Sequence, residues 1–110
     1  MKLPNTEAVI ISQEKIQDYL LSHSHPIGQF KAVVFNDLGY SQQNWRKLQS
    51  DLKEQLEKDV IEKEVTEYGR KYEIRGKMTG PNGKSMVIVT AWIVLKSEDF
   101  PRFITAYPGV

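Results

Sequence analysis

Apolar residues recur at helical spacing through the first half of the chain and at a spacing of two through the second. Leu3 to Ile11 is a lead-in, with a short strand expected at Ala8–Ile11. Ser12 reads as the N-cap of a first helix, whose apolar stripe is Ile16, Tyr19 and Leu20. Pro26 disfavours helix at His25, so this helix stops near Ser22. A second helix opens near Ile27–Gln29, carries Phe30, Val33, Val34 and Leu38 at three- and four-residue spacing with Phe35 on the flank, and ends at Gly39. Ser41, with Asn44 in the capping-box position, starts a third helix. Its core stripe is Trp45, Leu48, Leu52 and Leu56, and its solvated face includes Lys47, Asp51, Lys53, Glu54, Glu57 and Lys58.

After Asp59 the pattern alternates. Strands are expected at Val60–Glu67, Arg70–Lys77, Met86–Leu95 and Arg102–Tyr107. Tyr68-Gly69, the Asn82-Gly83 tip within Thr79–Lys84, and Ser97–Pro101 separate them. Helices first and strands after imply an α+β fold: about three N-terminal helices on one face of a four-stranded antiparallel β-meander, the other face open to solvent. There is no repeat, low-complexity tract or linker, so residues 1–110 read as a single domain.

Alternation sorts the side chains between the faces. Val87, Val89, Ala91, Ile93 and Leu95 form the cleaner apolar set and are expected to pack on the helices. Met86, Ile88, Thr90, Trp92 and Val94 then point away. Tyr72, Ile74, Ile104 and Ala106 go to the core, and Lys71, Glu73, Arg75, Phe103, Thr105 and Tyr107 go outward. The expected open face thus carries Arg75, Thr90, Trp92, Thr105 and Tyr107, with Glu73 nearby. An aromatic beside an arginine on a sheet surface stacks bases and neutralises phosphates. The competing readings are ordinary cross-strand aromatic pairing and a second small core under Trp92.

Composition narrows the classes. Hydrophobic residues make up 40% and charged residues 26%, the balance of a globular chain. No cysteine is present, so there is no disulfide, thiolate nucleophile or cysteine metal site. The start lacks the apolar core of a signal peptide, and no apolar run approaches the ~20 residues of a membrane helix, so a cytoplasmic protein without membrane partners is expected. The net charge of +1 directs any basic site to a local patch. The segment from His23 to Ala32 gathers both histidines, Pro26, Gly28 and Lys31 around a turn. His23 and His25 lack a third ligand at metal-site spacing, and neither metal nor cofactor is expected. Either ring suits proton transfer near neutrality. Lys31, close to a helix N-terminus, opposes the helix dipole and hints at an anion.

Several segments resemble a small bacterial domain family of unknown function. They are Leu3-Pro4-Asn5, Lys15-Ile16-Gln17-Asp18-Tyr19-Leu20-Leu21, His25-Pro26-Ile27-Gly28, Lys31-Ala32 and Phe35. In the second half they are Tyr68-Gly69, Tyr72, Gly76, Pro81-Asn82-Gly83-Lys84, Thr90-Ala91-Trp92-Ile93 and Pro101 to Pro108. Members of that family look like stand-alone toxin-like genes beside a small partner gene, and like C-terminal tips of polymorphic toxins. The resemblance implies a toxin or effector with a small cognate antitoxin or immunity-like partner. The architecture is similar, by fold analogy, to the ribonuclease superfamily of barnase, the tRNA-cutting colicins and the RelE-type toxins. That analogy implies a metal-independent endoribonuclease acting on tRNA or mRNA at the open sheet face. The catalytic roles then fall on His25, Lys31, Arg75, Thr90 and Arg102, and the RNA contacts on Trp92, Thr105 and Tyr107. The alternative is a non-catalytic module that binds a partner protein through the same face. A role as antitoxin fits less well, because 15 Lys and Arg balance 14 Asp and Glu.

Overall fold

The computed structural model describes residues 1–109. A 3-10 turn at Thr6–Ala8 leads into α1 (Gln13–Lys15), which continues as a π-turn over Ile16–Leu20. Then come α2 (Gly28–Asp37), α3 (Trp45–Gln55) and strands β1 (Ile61–Val65), β2 (Gly69–Thr79), β3 (Ser85–Leu95) and β4 (Arg102–Pro108). The strands form an antiparallel meander in the order β1-β2-β3-β4, with the helices preceding it, so the α+β reading holds. The lead-in makes no full strand. Ile10 alone bridges to Arg102, in parallel, at the outer edge of β4.

Local chemistry sets the boundaries. The Ser12 hydroxyl accepts from the Lys15 amide at 3.2 Å and caps α1. Gly39, at φ 98°, ends the turn after α2. The Asn44 side chain reaches back to the Ser41 amide at 2.6 Å, so helix α3 starts at Trp45, later than the Ser41 cap suggests. The Asn82-Gly83 tip, with Gly83 at φ 85°, sets Thr79 opposite Ser85. Every later pair in β2 and β3 follows from that register, including Ile74 with Thr90 and Tyr72 with Trp92.

The core lies between the helices and the even-numbered face of β3. Ile88, Thr90 and Trp92 are fully buried there with Ile74, Phe103 and Ala106. This inverts the face assignment expected for β3. Val87 is exposed, and Val89, Ala91 and Ile93 belong to the opposite side. Directly opposed residues of an antiparallel pair share a face, so Tyr72 and Ile74 carry Trp92 and Thr90 inward. The Trp92 indole N–H donates to the Thr90 hydroxyl at 2.8 Å, and its ring meets Phe103 edge-on at 5.3 Å. Trp92 is therefore a core aromatic, and Thr90 satisfies its one polar group.

Phe103 likewise turns inward, against expectation. Its partner is Trp92, while Thr105 opposes Ala91, which leaves Ile104 as the extra residue of a β-bulge. The expected stripe of α2 also turns. Ala32, Phe35 and Leu38 are buried, while Phe30 and Val33 face solvent. On α3, Leu48, Leu52 and Leu56 are buried as expected. Asp51, expected on the solvated face, is buried and accepts hydrogen bonds from the Tyr40 hydroxyl and from Lys47 Nζ. Burial, reinforced by the bond to Asp51, pushes the Tyr40 phenol well above its ordinary pKa.

Candidate functional site

The open face of the sheet is arranged in rows. Glu73, Ala91 and Thr105 form one, and Arg75, Val89 and Tyr107 the next. At the β4 end of these rows the π-turn and the first turns of α2 reach round the strand edge. There the Tyr19 hydroxyl and the Thr105 hydroxyl hydrogen-bond at 3.1 Å. The ammonium of Lys31 lies 5.5 Å from the centre of the Tyr107 ring, a cation–π contact. The Tyr107 hydroxyl donates to Glu73 Oε2 at 3.1 Å. Desolvation, helped by that bond, raises the Tyr107 pKa, so the phenol keeps its proton and acts as a donor.

His25 is built into the start of α2. Its Nδ1 accepts from the amides of Ile27, at 3.0 Å, and Gly28, at 2.9 Å. Its own amide donates to the Ser22 hydroxyl at 3.1 Å. The imidazole thus replaces the usual Ser, Thr or Asp as the cap of α2. A nitrogen that accepts two N–H bonds carries no proton, so the ring proton sits on Nε2. The ring meets Tyr19 edge-on at 5.1 Å. Gly28 makes this approach possible. A Cβ there would lie 1.9 Å from the Tyr19 carbonyl oxygen.

The helices and β4 enclose a cleft of about 610 Å³ between the π-turn and the bulge, lined in part by Lys15, Tyr19, His25 and Thr105. It lies within the range of small-ligand pockets. Lys15 Nζ donates to the carbonyl of the bulge residue Ile104 at 3.0 Å and sits 5.9 Å from the Tyr19 ring.

Of the residues singled out by sequence, His25 and Thr105 are joined through Tyr19, and Lys31 meets Tyr107 two residues further along β4. Arg75 lies in the same row as Tyr107 but two strands in from the edge, its guanidinium packed near Gly109. Three others are elsewhere. Thr90 and Trp92 are in the core and offer nothing to a ligand on the open face. Arg102, at the far end of β4, forms a bidentate pair with Glu98 at 2.7 and 2.6 Å. The Arg102 bonds hold the Glu98 carboxyl below the usual carboxylate range. Sequence reasoning missed Lys15 and Tyr19 as site residues. Their four-residue spacing puts them on one helical face, but helical spacing also assigned Tyr19 to the core.

Among the described residues, no helix is long and apolar enough to cross a membrane, and no three His, Asp or Glu side chains converge as a metal site. In fold, the chain is similar to one from a contact-dependent growth inhibition toxin–immunity protein complex from Klebsiella pneumoniae 342. That likeness has a TM-score of 0.71 and 21% sequence identity, over 91% of this chain and 99% of that one. No curated protein matches the sequence. A family model does, across residues 2–110. The chain therefore belongs to the DUF6883 family, a domain of unknown function.

Proposed function

We propose that this chain is a toxin-like endoribonuclease that cleaves RNA at the β4 edge of the sheet without a metal ion. The observation that carries this reading is that the helical half reaches the last strand twice: His25 meets Thr105 through Tyr19, and Lys31 lies over the Tyr107 ring. The fold likeness to a chain from a toxin–immunity complex supports the coarser part of this reading, a toxin-like or partner-binding role.

The reaction needs three things: a base for the 2′-OH proton, charge stabilisation at phosphorus, and a proton for the departing 5′-oxygen. The 2′-oxygen attacks the adjacent phosphorus, the bond to the 5′-oxygen breaks, and a 2′,3′-cyclic phosphate remains. Nδ1 of His25 is committed to backbone amides, so its Nε2–H hydrogen-bonds the departing oxygen, and a water supplies the proton that oxygen takes up. Glu73 accepts the 2′-OH proton, held in place by Tyr107. Lys31 and Arg75 stabilise the phosphorane.

The test is cleavage of total tRNA and a short labelled RNA in EDTA, which silences metal-dependent contaminants. Wild type is compared with His25→Asn, Lys31→Met and Glu73→Gln, all purified identically. Asn still caps a helix but lacks a ring nitrogen, so His25→Asn is expected to lose about 10²-fold or more in rate while remaining folded. A single 2′-deoxy substitution at the cut site should abolish cleavage. Undiminished cutting by His25→Asn would remove that residue from the mechanism.

One observation favours a partner-binding role at the same edge. Ile27, Phe30 and Val33 are 61%, 71% and 63% exposed along α2, beside Lys31. Such a patch is a protein-contact feature. An immunity-type partner seated there would cover the site. Phe30→Ser should then weaken its inhibition of cleavage while leaving cleavage itself intact, as read by titrating the partner into the RNA assay.

A further inference from the structure

Two backbone irregularities face each other across the cleft. On one side is the π-turn, closed by the Leu21 amide bonding the Ile16 carbonyl at 2.9 Å. On the other is the Ile104 bulge of β4. Each costs regular hydrogen bonding, and each recurs beside functional sites because it re-aims side chains. Here they aim Lys15 and Tyr19 from one wall and Thr105 from the other into a shared space.

The polar groups in that space suit a neutral hydrogen-bonding ligand better than a phosphate. Lys15 is anchored through one N–H to the Ile104 carbonyl, leaving two donors. The hydroxyls of Tyr19 and Thr105 share one proton between them, leaving a second proton and spare lone pairs. Glu14 and Asp18 also line the cleft, so its two carboxylates outnumber its one ammonium, Lys15. The cations suited to a phosphate, Lys31 and Arg75, lie with Tyr107 outside it. The Tyr19 ring faces the cleft and also braces the imidazole.

We propose that the cleft between the π-turn and the β4 bulge is a nucleoside subsite. It receives the sugar and base next to the phosphate held by Lys31, with Lys15, Tyr19 and Thr105 as its contacts. Tyr19 is at the same time the positioning residue for His25. This rests on the ribonuclease reading for the identity of the ligand, but its test does not need cleavage.

The probes are the four ribonucleoside 3′-monophosphates and, separately, inorganic phosphate. Binding is followed by amide chemical shifts of the whole chain, in wild type, Lys15→Met and Tyr19→Phe. The nucleotides are expected to shift Lys15, Tyr19, Ile104 and Thr105 as well as Lys31, and inorganic phosphate to shift the Lys31 region alone. Lys15→Met should weaken nucleotide binding about tenfold by removing a charged donor, with phosphate binding unchanged. Tyr19→Phe keeps the ring against His25, so it should raise KM for RNA several-fold with little change in kcat. Tyr19→Leu should lower kcat as well. The subsite is overturned if nucleotides and phosphate shift the same residues, or if Lys15→Met binds nucleotides like wild type. Nucleotides that bind in the cleft of a chain that cuts no RNA would sink the ribonuclease reading and keep the subsite. RNA cleavage with an unaltered KM in Lys15→Met would do the reverse.

Discussion

His25 and Tyr40 show how much depends on what a single polar atom is bonded to. His25 caps α2 through Nδ1, so its structural and chemical roles separate by substitution. His25→Ala should cost about 1 kcal/mol of stability, the usual cost of a lost cap, while His25→Asn should recover most of it. Urea unfolding of the two variants checks this, and both should be equally inactive on RNA. Tyr40 gives a pH effect of definite sign. In the unfolded chain its phenol ionises near about pH 10, but in the folded chain burial and Asp51 keep it protonated. The stabilisation is complete below that pH and is lost as pH rises, at no more than about 1.4 kcal/mol per unit. Tyr40→Phe should be less stable at neutrality, because the buried Asp51 loses a donor, but should show a shallower alkaline decline between pH 9 and 11. Identical slopes in urea titrations would contradict this account. Neither role was legible in sequence. A histidine before Pro26 reads as a loop residue, and Asp51 among lysines and glutamates reads as a wet helix face.

At the scale of elements, the order of helices and strands followed from periodicity, and most strand ends fell close to their expected places. The faces were harder. β3 is central and apolar on both sides, so alternation within it does not say which side is inner. The missing information was present in the Asn82-Gly83 turn. It sets the register that ties Trp92 to Tyr72, and with it the face of the whole strand. The π-turn has no such signal, since its extra residue is indistinguishable from helical sequence. Its docking against α2 depends on Gly28. Gly28→Ala places a methyl group against the Tyr19 carbonyl and should destabilise the chain by about 1–3 kcal/mol. Because the displaced residue is Tyr19, the variant should also lose more RNA cleavage than its stability loss explains. Measuring rate at a temperature where both proteins are fully folded separates the two effects.

The molecule as a whole has little net charge, so the proposed binding of RNA rests on a few local cations. With two or three phosphate contacts from Lys31, Arg75 and their neighbours, log K against log salt should fall with a slope of about −2 or shallower. A slope of about −5, read by fluorescence anisotropy with a 2′-deoxy oligonucleotide, would mean a far broader basic surface than the structure carries. The same few groups come from distant parts of the sequence. The Asn82-Gly83 turn divides the chain so that His25, Lys31 and Arg75 fall in one segment and Thr105 and Tyr107 in the other. Cutting there would yield two inert fragments, each with half of the chemistry and half of the sheet. On the proposed ribonuclease reading, cleavage would return only on their reunion, which would make this domain a candidate for a split reporter whose signal is the loss of intact RNA.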